Sequence, residues 1–133
     1  MAERSNTTRA SKPMTVEEVS SAVGVYPLEA YTFLQAGLHY TVEQVAGGGK
    51  KGHVTGHQLT IGLREFAQLQ WGIMARAVLT KWNVTCTYDF GRIVFALVDA
   101  GIFSVTEGDS VEDFRGVYDF AEFDSAYRVE SKL

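Results

Sequence analysis

The sequence predicts a mainly α-helical, compact domain folded round one long central helix, and three observations predict it. Capping-box patterns stand ahead of apolar runs at Thr15-Val16-Glu17-Glu18 and Thr55-Gly56-His57-Gln58. In each, a threonine hydroxyl can take an orphan amide while the fourth residue reaches back to the cap. Apolar residues then recur at spacings of three and four, which puts them on one stripe of a 3.6-residue helix. Residues that tolerate the left-handed conformation, Gly24, Asn83 and Gly101, follow the periodic stretches and close them.

Residues 1–14 are polar, mildly basic and without periodicity, and read as a disordered tail. Val16, Val19, Ala22 and Val23 form a short amphipathic helix stopped by Gly24. Tyr26-Pro27 restarts the chain, and Ala30, Phe33, Leu34 and Leu38 make the next stripe. From Leu38 to Val45 two readings stand: Leu38, Tyr40 and Val42 alternate like a strand, while Thr41-Val42-Glu43-Gln44 could cap a further turn.

The central helix is expected over 56–81, roughly 39 Å long at 1.5 Å per residue unless Gly72 marks a bend. Leu59, Leu63, Phe66, Ala67, Gln70, Ile73, Met74, Ala77 and Val78 lie on its stripe, and Ile61, Leu69, Trp71 and Leu79 spread apolar surface round most of it. After Asn83, Thr87 or Asp89 can cap a second helix over 88–100 with Phe90, Ile93, Val94, Leu97 and Val98 inward. Leu63, Phe66, Ile73, Ala77, Ile93, Val94 and Leu97 are the expected core.

Ile102-Phe103-Ser104-Val105 alternates like a short strand, and Glu107-Gly108 turns the chain. Asp109 or Ser110 then caps a helix whose apolar face is Phe114, Val117, Tyr118 and Ala121. One globular domain over 15–128 results, with a tail over 129–133. At 133 residues and 46% hydrophobic, it is large enough to bury roughly two-thirds of its unfolded surface.

The chemistry is plain. Net charge is −4, and the segment from Glu107 to Asp124 sets Arg115 against seven carboxylates, so no global attraction to phosphate backbones is expected. A single Cys86 excludes an intrachain disulfide framework, and it reads as a buried, inert thiol. No run approaches the ~20 apolar residues of a membrane span and no secretory signal opens the chain, so a cytoplasmic setting is expected.

Gly47-Gly48-Gly49-Lys50-Lys51-Gly52 lacks the hydroxyl residue after the lysine that a phosphate loop needs, and reads as a mobile basic loop. His53 and His57 are four apart, but Thr55 caps between them and the intervening glutamate of a zinc-protease helix is missing. No cofactor, metal or catalytic residue is therefore expected.

Tyr26-Pro27-Leu28-Glu29-Ala30-Tyr31, Gly37-Leu38-His39-Tyr40-Thr41, Trp82-Asn83-Val84, Asp89-Phe90-Gly91-Arg92-Ile93-Val94-Phe95-Ala96-Leu97 and Asp109-Ser110-Val111-Glu112-Asp113-Phe114 resemble the motifs of a small uncharacterised bacterial family of conserved hypothetical proteins. The resemblance covers about residues 25–125 and implies one bacterial cytoplasmic domain. It implies no activity. In architecture, a long helix, a tight turn, a second helix and a strand segment resemble a helix-turn-helix with the start of a wing.

Three function classes follow. The first is a non-catalytic module that binds another protein or itself, with Phe114, Tyr118, Phe120, Phe123 and Tyr127 as its contact surface, because the acidic end holds more aromatics than one stripe can bury. The alternative is a winged-helix-like DNA-binding regulator, which Asp89 and Asp99 beside a lone Arg92 argue against. A small enzyme is third.

Overall fold

The computed structural model describes residues 1–3, 15–46 and 53–123, and helices dominate them. In chain order they are β1 (Ala2–Glu3), α1 (Val16–Val23), α2 (Leu28–Ala46), α3 (Gly56–Trp71), a 3-10 turn (Gly72–Met74), α4 (Ala75–Lys81), α5 (Thr87–Asp99), β2 (Phe103–Ser104) and a second 3-10 turn (Val111–Phe114). Among the described residues no helix is long and apolar enough to cross a membrane.

Helix starts follow local chemistry. Both expected boxes form: the Thr15 hydroxyl accepts from the Glu18 amide at 3.1 Å and the Thr55 hydroxyl from the Gln58 amide at 3.0 Å, with the reciprocal side-chain bonds in place. Gly24, Asn83 and Gly101 adopt φ of 73°, 69° and 85°, the left-handed stops that the sequence marks. Between 38 and 45 the helical reading holds, and α2 runs unbroken to Ala46.

The long central helix breaks. Gly72 takes φ 55° and ψ −129°, and α4 leaves on a new register. Leu59, Leu63 and Ala67 are buried before the break, and Ala75 and Leu79 after it. Ile73 and Ala77, expected in the core, are exposed, and Phe66 is only partly covered. A helix apolar on most sides can be buried in either register, so the break decides which side chains turn out.

Two close approaches lock α2 onto α3. A Cβ on Gly37 would collide with Leu63, and one on Gly62 with Thr41, whose hydroxyl donates to the Gly37 carbonyl at 2.8 Å. Helix backbones come this near only where one side lacks a Cβ. Helix α5 is the innermost: Phe90, Ile93, Val94 and Leu97 are all 0% exposed, and little but Arg92 and Asp99 reaches solvent.

Neither Thr87 nor Asp89 caps α5. Cys86 occupies the cap without a side-chain bond to a backbone amide, while Asp89, one turn in, accepts from the Thr85 amide at 2.9 Å. That cap position projects the Cys86 thiol outward, so Cys86 is exposed and not the buried thiol expected.

The two ends of the chain differ most from expectation. Residues 1–3 are no tail: Ala2 pairs with Ser104 and Glu3 with Phe103, antiparallel, and Met1 is 1% exposed against the core. The rest of the assigned tail, 4–14, lies outside the described residues, as do the glycine-lysine loop at 47–52 and the terminal 129–133. After Ser110, whose capping box with Asp113 forms, only one 3-10 turn follows in place of a helix. Gly116 at φ 64° turns the chain, and residues 115–123 lie as a strap over α3 and α5. Thr87 donates to the Phe114 carbonyl at 2.6 Å, Tyr118 to the Thr60 carbonyl at 2.9 Å and Gln68 to the Phe123 carbonyl at 3.3 Å.

Candidate functional site

Three places in the molecule gather chemistry: the aromatic strap, the carboxylate at the start of α5, and the outer flank of α2 and α3. The strap carries the residues that the sequence marks as a contact surface. Phe114 is 0% exposed, Tyr118 9%, Phe120 4% and Phe123 3%. Phe120 and Phe123 meet edge to face at 5.2 Å, Phe120 packs on Phe90 at 5.7 Å, and the Arg64 guanidinium covers the Tyr118 ring at 4.6 Å. These four aromatics are core, because the chain folds back over α3 and α5 instead of continuing as a one-sided helix. Tyr127 lies outside the described residues.

Asp89 is a nearly buried carboxylate with several partners. Its Oδ1 accepts from the Tyr26 hydroxyl at 2.6 Å and lies 3.7 Å from Arg92, and its Oδ2 accepts from the Thr85 amide at 2.9 Å and the Thr85 hydroxyl at 3.3 Å. The Cys86 thiol stands 3.7 Å from the same oxygen. Burial, and then the bond to Asp89, push the Tyr26 phenol far above the ordinary tyrosine range. A carboxylate with these partners holds the α1–α2 loop to the start of α5. The cluster fastens elements together.

The outer flank is different, since its side chains are presented to solvent. Thr32, Gln35, Ala36, His39, Tyr40 and Glu43 follow the three-and-four spacing down one face of α2. With Glu3 of β1 and Phe66 of α3 they line an open groove of about 640 Å³. Tyr40 and Phe66 pack 5.3 Å apart in it, and the Tyr40 hydroxyl donates to Glu65 at 2.9 Å. Partial burial and that bond hold the Tyr40 phenol above its ordinary range. His39 approaches Glu43 at 3.9 Å.

From the groove a row of rings runs on across three helices. Phe66 packs on Phe33 at 5.5 Å, Phe33 on Trp71 at 5.2 Å, and Trp71 meets Trp82 edge to face at 5.4 Å. Phe33 is buried, whereas Tyr40, Phe66, Trp71 and Trp82 each keep part of their surface in water. On either side of the Gly72 break, close along the chain to Phe66 and Trp71, Leu69, Ile73 and Met74 are 70%, 64% and 56% exposed.

His53 and His57 fall on either side of the Thr55 cap, both exposed, and among the described residues no three His, Cys, Asp or Glu side chains stand together as a metal would need. Comparison of the chain with family models, curated proteins and solved structures finds no match.

Proposed function

We propose that the protein is a non-catalytic interaction module that docks a partner protein on the outer flank of α2, α3 and α4. The observation that carries this reading is the trio Leu69, Ile73 and Met74, large apolar side chains left in solvent on the chain segment that also carries the partly exposed Phe66 and Trp71. Scattered apolar residues are ordinary on a protein surface; three within one short segment that also carries phenylalanine and tryptophan match the composition of an interface core. Covering one fully exposed side chain of this size contributes about 1.5–3 kcal/mol, so burying the trio would favour docking. The bacterial, cytoplasmic setting that the motif resemblance implies belongs to the same proposal.

The DNA-binding alternative has less support. A recognition helix must offer several cations to a groove, and α5, the helix in that position, is enclosed by the rest of the fold and turns out Arg92 and Asp99. The enzyme reading would centre on Tyr26, Cys86 and Asp89, where the carboxylate is already committed to structural bonds.

A photocrosslinking residue placed at position 69 or 73, and at position 107 as a control, tests the proposal in the native cell. Discrete adducts from 69 and 73, missing at 107 and lost when Met74→Glu is added, are expected. Identical adducts from all three positions would overturn it.

A further inference from the structure

The groove between α2 and α3 adjoins the apolar trio through Phe66, one helical turn before Leu69, but its own lining is not apolar in the same way. Glu3 and Glu43 are among its lining residues, and Glu65, outside the lining, accepts from the Tyr40 hydroxyl at 2.9 Å. The groove lined by Glu3 and Glu43 also holds two aromatic rings, Tyr40 and Phe66, packed 5.3 Å apart. Among the described residues lining the groove, His39 is the one basic group, and it lies beside Glu43 at 3.9 Å.

Ring faces carry negative charge and attract cations, and a carboxylate takes a guanidinium through two parallel hydrogen bonds. A neutral ligand would use the rings and lose water from the carboxylates with nothing in return. An anion would meet the like charges of Glu3 and Glu43. The occupant whose charge and shape match both features is planar, cationic and able to stack.

We propose that this groove receives an arginine side chain from a basic segment of the partner protein, an inference that rests on the interaction reading above. The guanidinium stacks on Phe66 and Tyr40 and forks onto Glu43, with Glu65 and Glu3 as flanking charges. The apolar residues of the same segment then fall on Leu69 and Ile73. Charge selects the partner at one end of the surface, and apolar burial holds it at the other.

The test uses the full chain, isotopically labelled, and two capped tetrapeptides: Leu-Arg-Leu-Arg, and the same peptide with citrulline in place of arginine. Citrulline keeps the shape and removes the charge. The arginine peptide is expected to shift the backbone amides of Gln35, His39, Glu43 and Phe66, and the citrulline peptide is not. Glu43→Gln combined with Glu65→Gln should weaken the arginine peptide about tenfold, the scale of losing charge-assisted bonds. Glutamine at 65 can still accept from Tyr40, and an unchanged amide spectrum elsewhere certifies the fold of this variant.

Equal binding of the two peptides would overturn the proposal, as would shifts confined to Glu107, Glu112 and Asp119, which would report general attraction to the acidic end. Groove shifts from maltotriose would do the same, by making the rings a sugar platform. If neither peptide binds the unaltered chain while crosslinks from position 73 still form, the arginine proposal falls and the interaction reading stands.

Discussion

Gly91 lies directly under the Phe114 ring: a Cβ added at Gly91 would stand 2.8 Å from both Cβ and Cγ of Phe114. Gly56 takes the other side, where an added Cβ would meet the ring edge at 2.9 Å. One fully buried phenylalanine is thus seated between the start of α3 and the first turns of α5. Gly91→Ala should destabilise the fold by about 1–3 kcal/mol, the range for overpacking a filled core. Chemical denaturation measures it, and pairing the change with Phe114→Ala, which removes Cγ and the ring, should cost less than the sum of the two single losses. Additive losses would mean that Gly91 matters for another reason.

Thr87 holds the same strap by its hydroxyl, which donates to the Phe114 carbonyl at 2.6 Å and accepts from the Val117 amide at 3.2 Å while 1% exposed. Thr87→Val keeps the shape and leaves two buried backbone groups unbonded. A loss of about 1–3 kcal/mol is expected. Thr87→Ser retains the hydroxyl and should lose clearly less, and equal losses would assign the effect to packing.

At Gly72 the prediction concerns backbone alone. Its φ of 55° and ψ of −129° suit glycine, and a Cβ there would find nothing within 4 Å. Gly72→Ala should therefore lower stability by about 1–3 kcal/mol through conformational strain without any clash. Thermal unfolding reads the loss. An unchanged midpoint with added helical signal would show that α3 and α4 fuse at no cost and that the break is weakly specified.

Alkaline pH should unfold the protein through its buried phenols. Burial raises Tyr26, with the Asp89 bond adding to it, and burial raises Tyr118, with Glu122 adding and Arg64 opposing. A phenol raised in the folded state gives stability that is whole below its unfolded value of 10.0 and is lost as the pH climbs beyond that. The denaturation midpoint is expected to hold steady up to about pH 10 and then fall. Tyr118→Phe should flatten the fall, and phenolate absorbance should show a group that ionises only as the chain unfolds.

The parts of this fold that were legible in the sequence are those decided within four residues. Thr15, Thr55 and Ser110 cap as their spacing requires, and Gly24, Asn83 and Gly101 stop as their backbone freedom allows. Contacts between distant segments decide the rest. The register change at Gly72 was hidden because apolar residues surround that helix, so Ile73 and Ala77 read as core as readily as Ala75 and Leu79. The strap read as a helix because Phe114, Val117, Tyr118 and Ala121 keep helical spacing, while the bonds that hold it against the fold come from Thr87 and Thr60, far back along the chain. The candidate site was illegible for the same reason. Phe33, Tyr40, Phe66, Trp71 and Trp82 each resemble an ordinary core residue, and only packing shows that they form one row with an exposed edge. The nearest signal in the sequence was the α2 face from Thr32 to Glu43, polar and aromatic where a buried stripe should be aliphatic.

The seat for Phe114 also has a place in time. A ribosome adds about 5–20 residues per second, so the floor of that seat, at Gly56 and Gly91, is made a second or more before the ring that fills it. Through that interval the nascent chain carries α5 with one side uncovered, and the strap that covers it emerges last of the described segments. A pause in synthesis after Gly101 would prolong the uncovered state and lay the inner face of α5 open to chaperones, or to the same face of a neighbouring nascent chain.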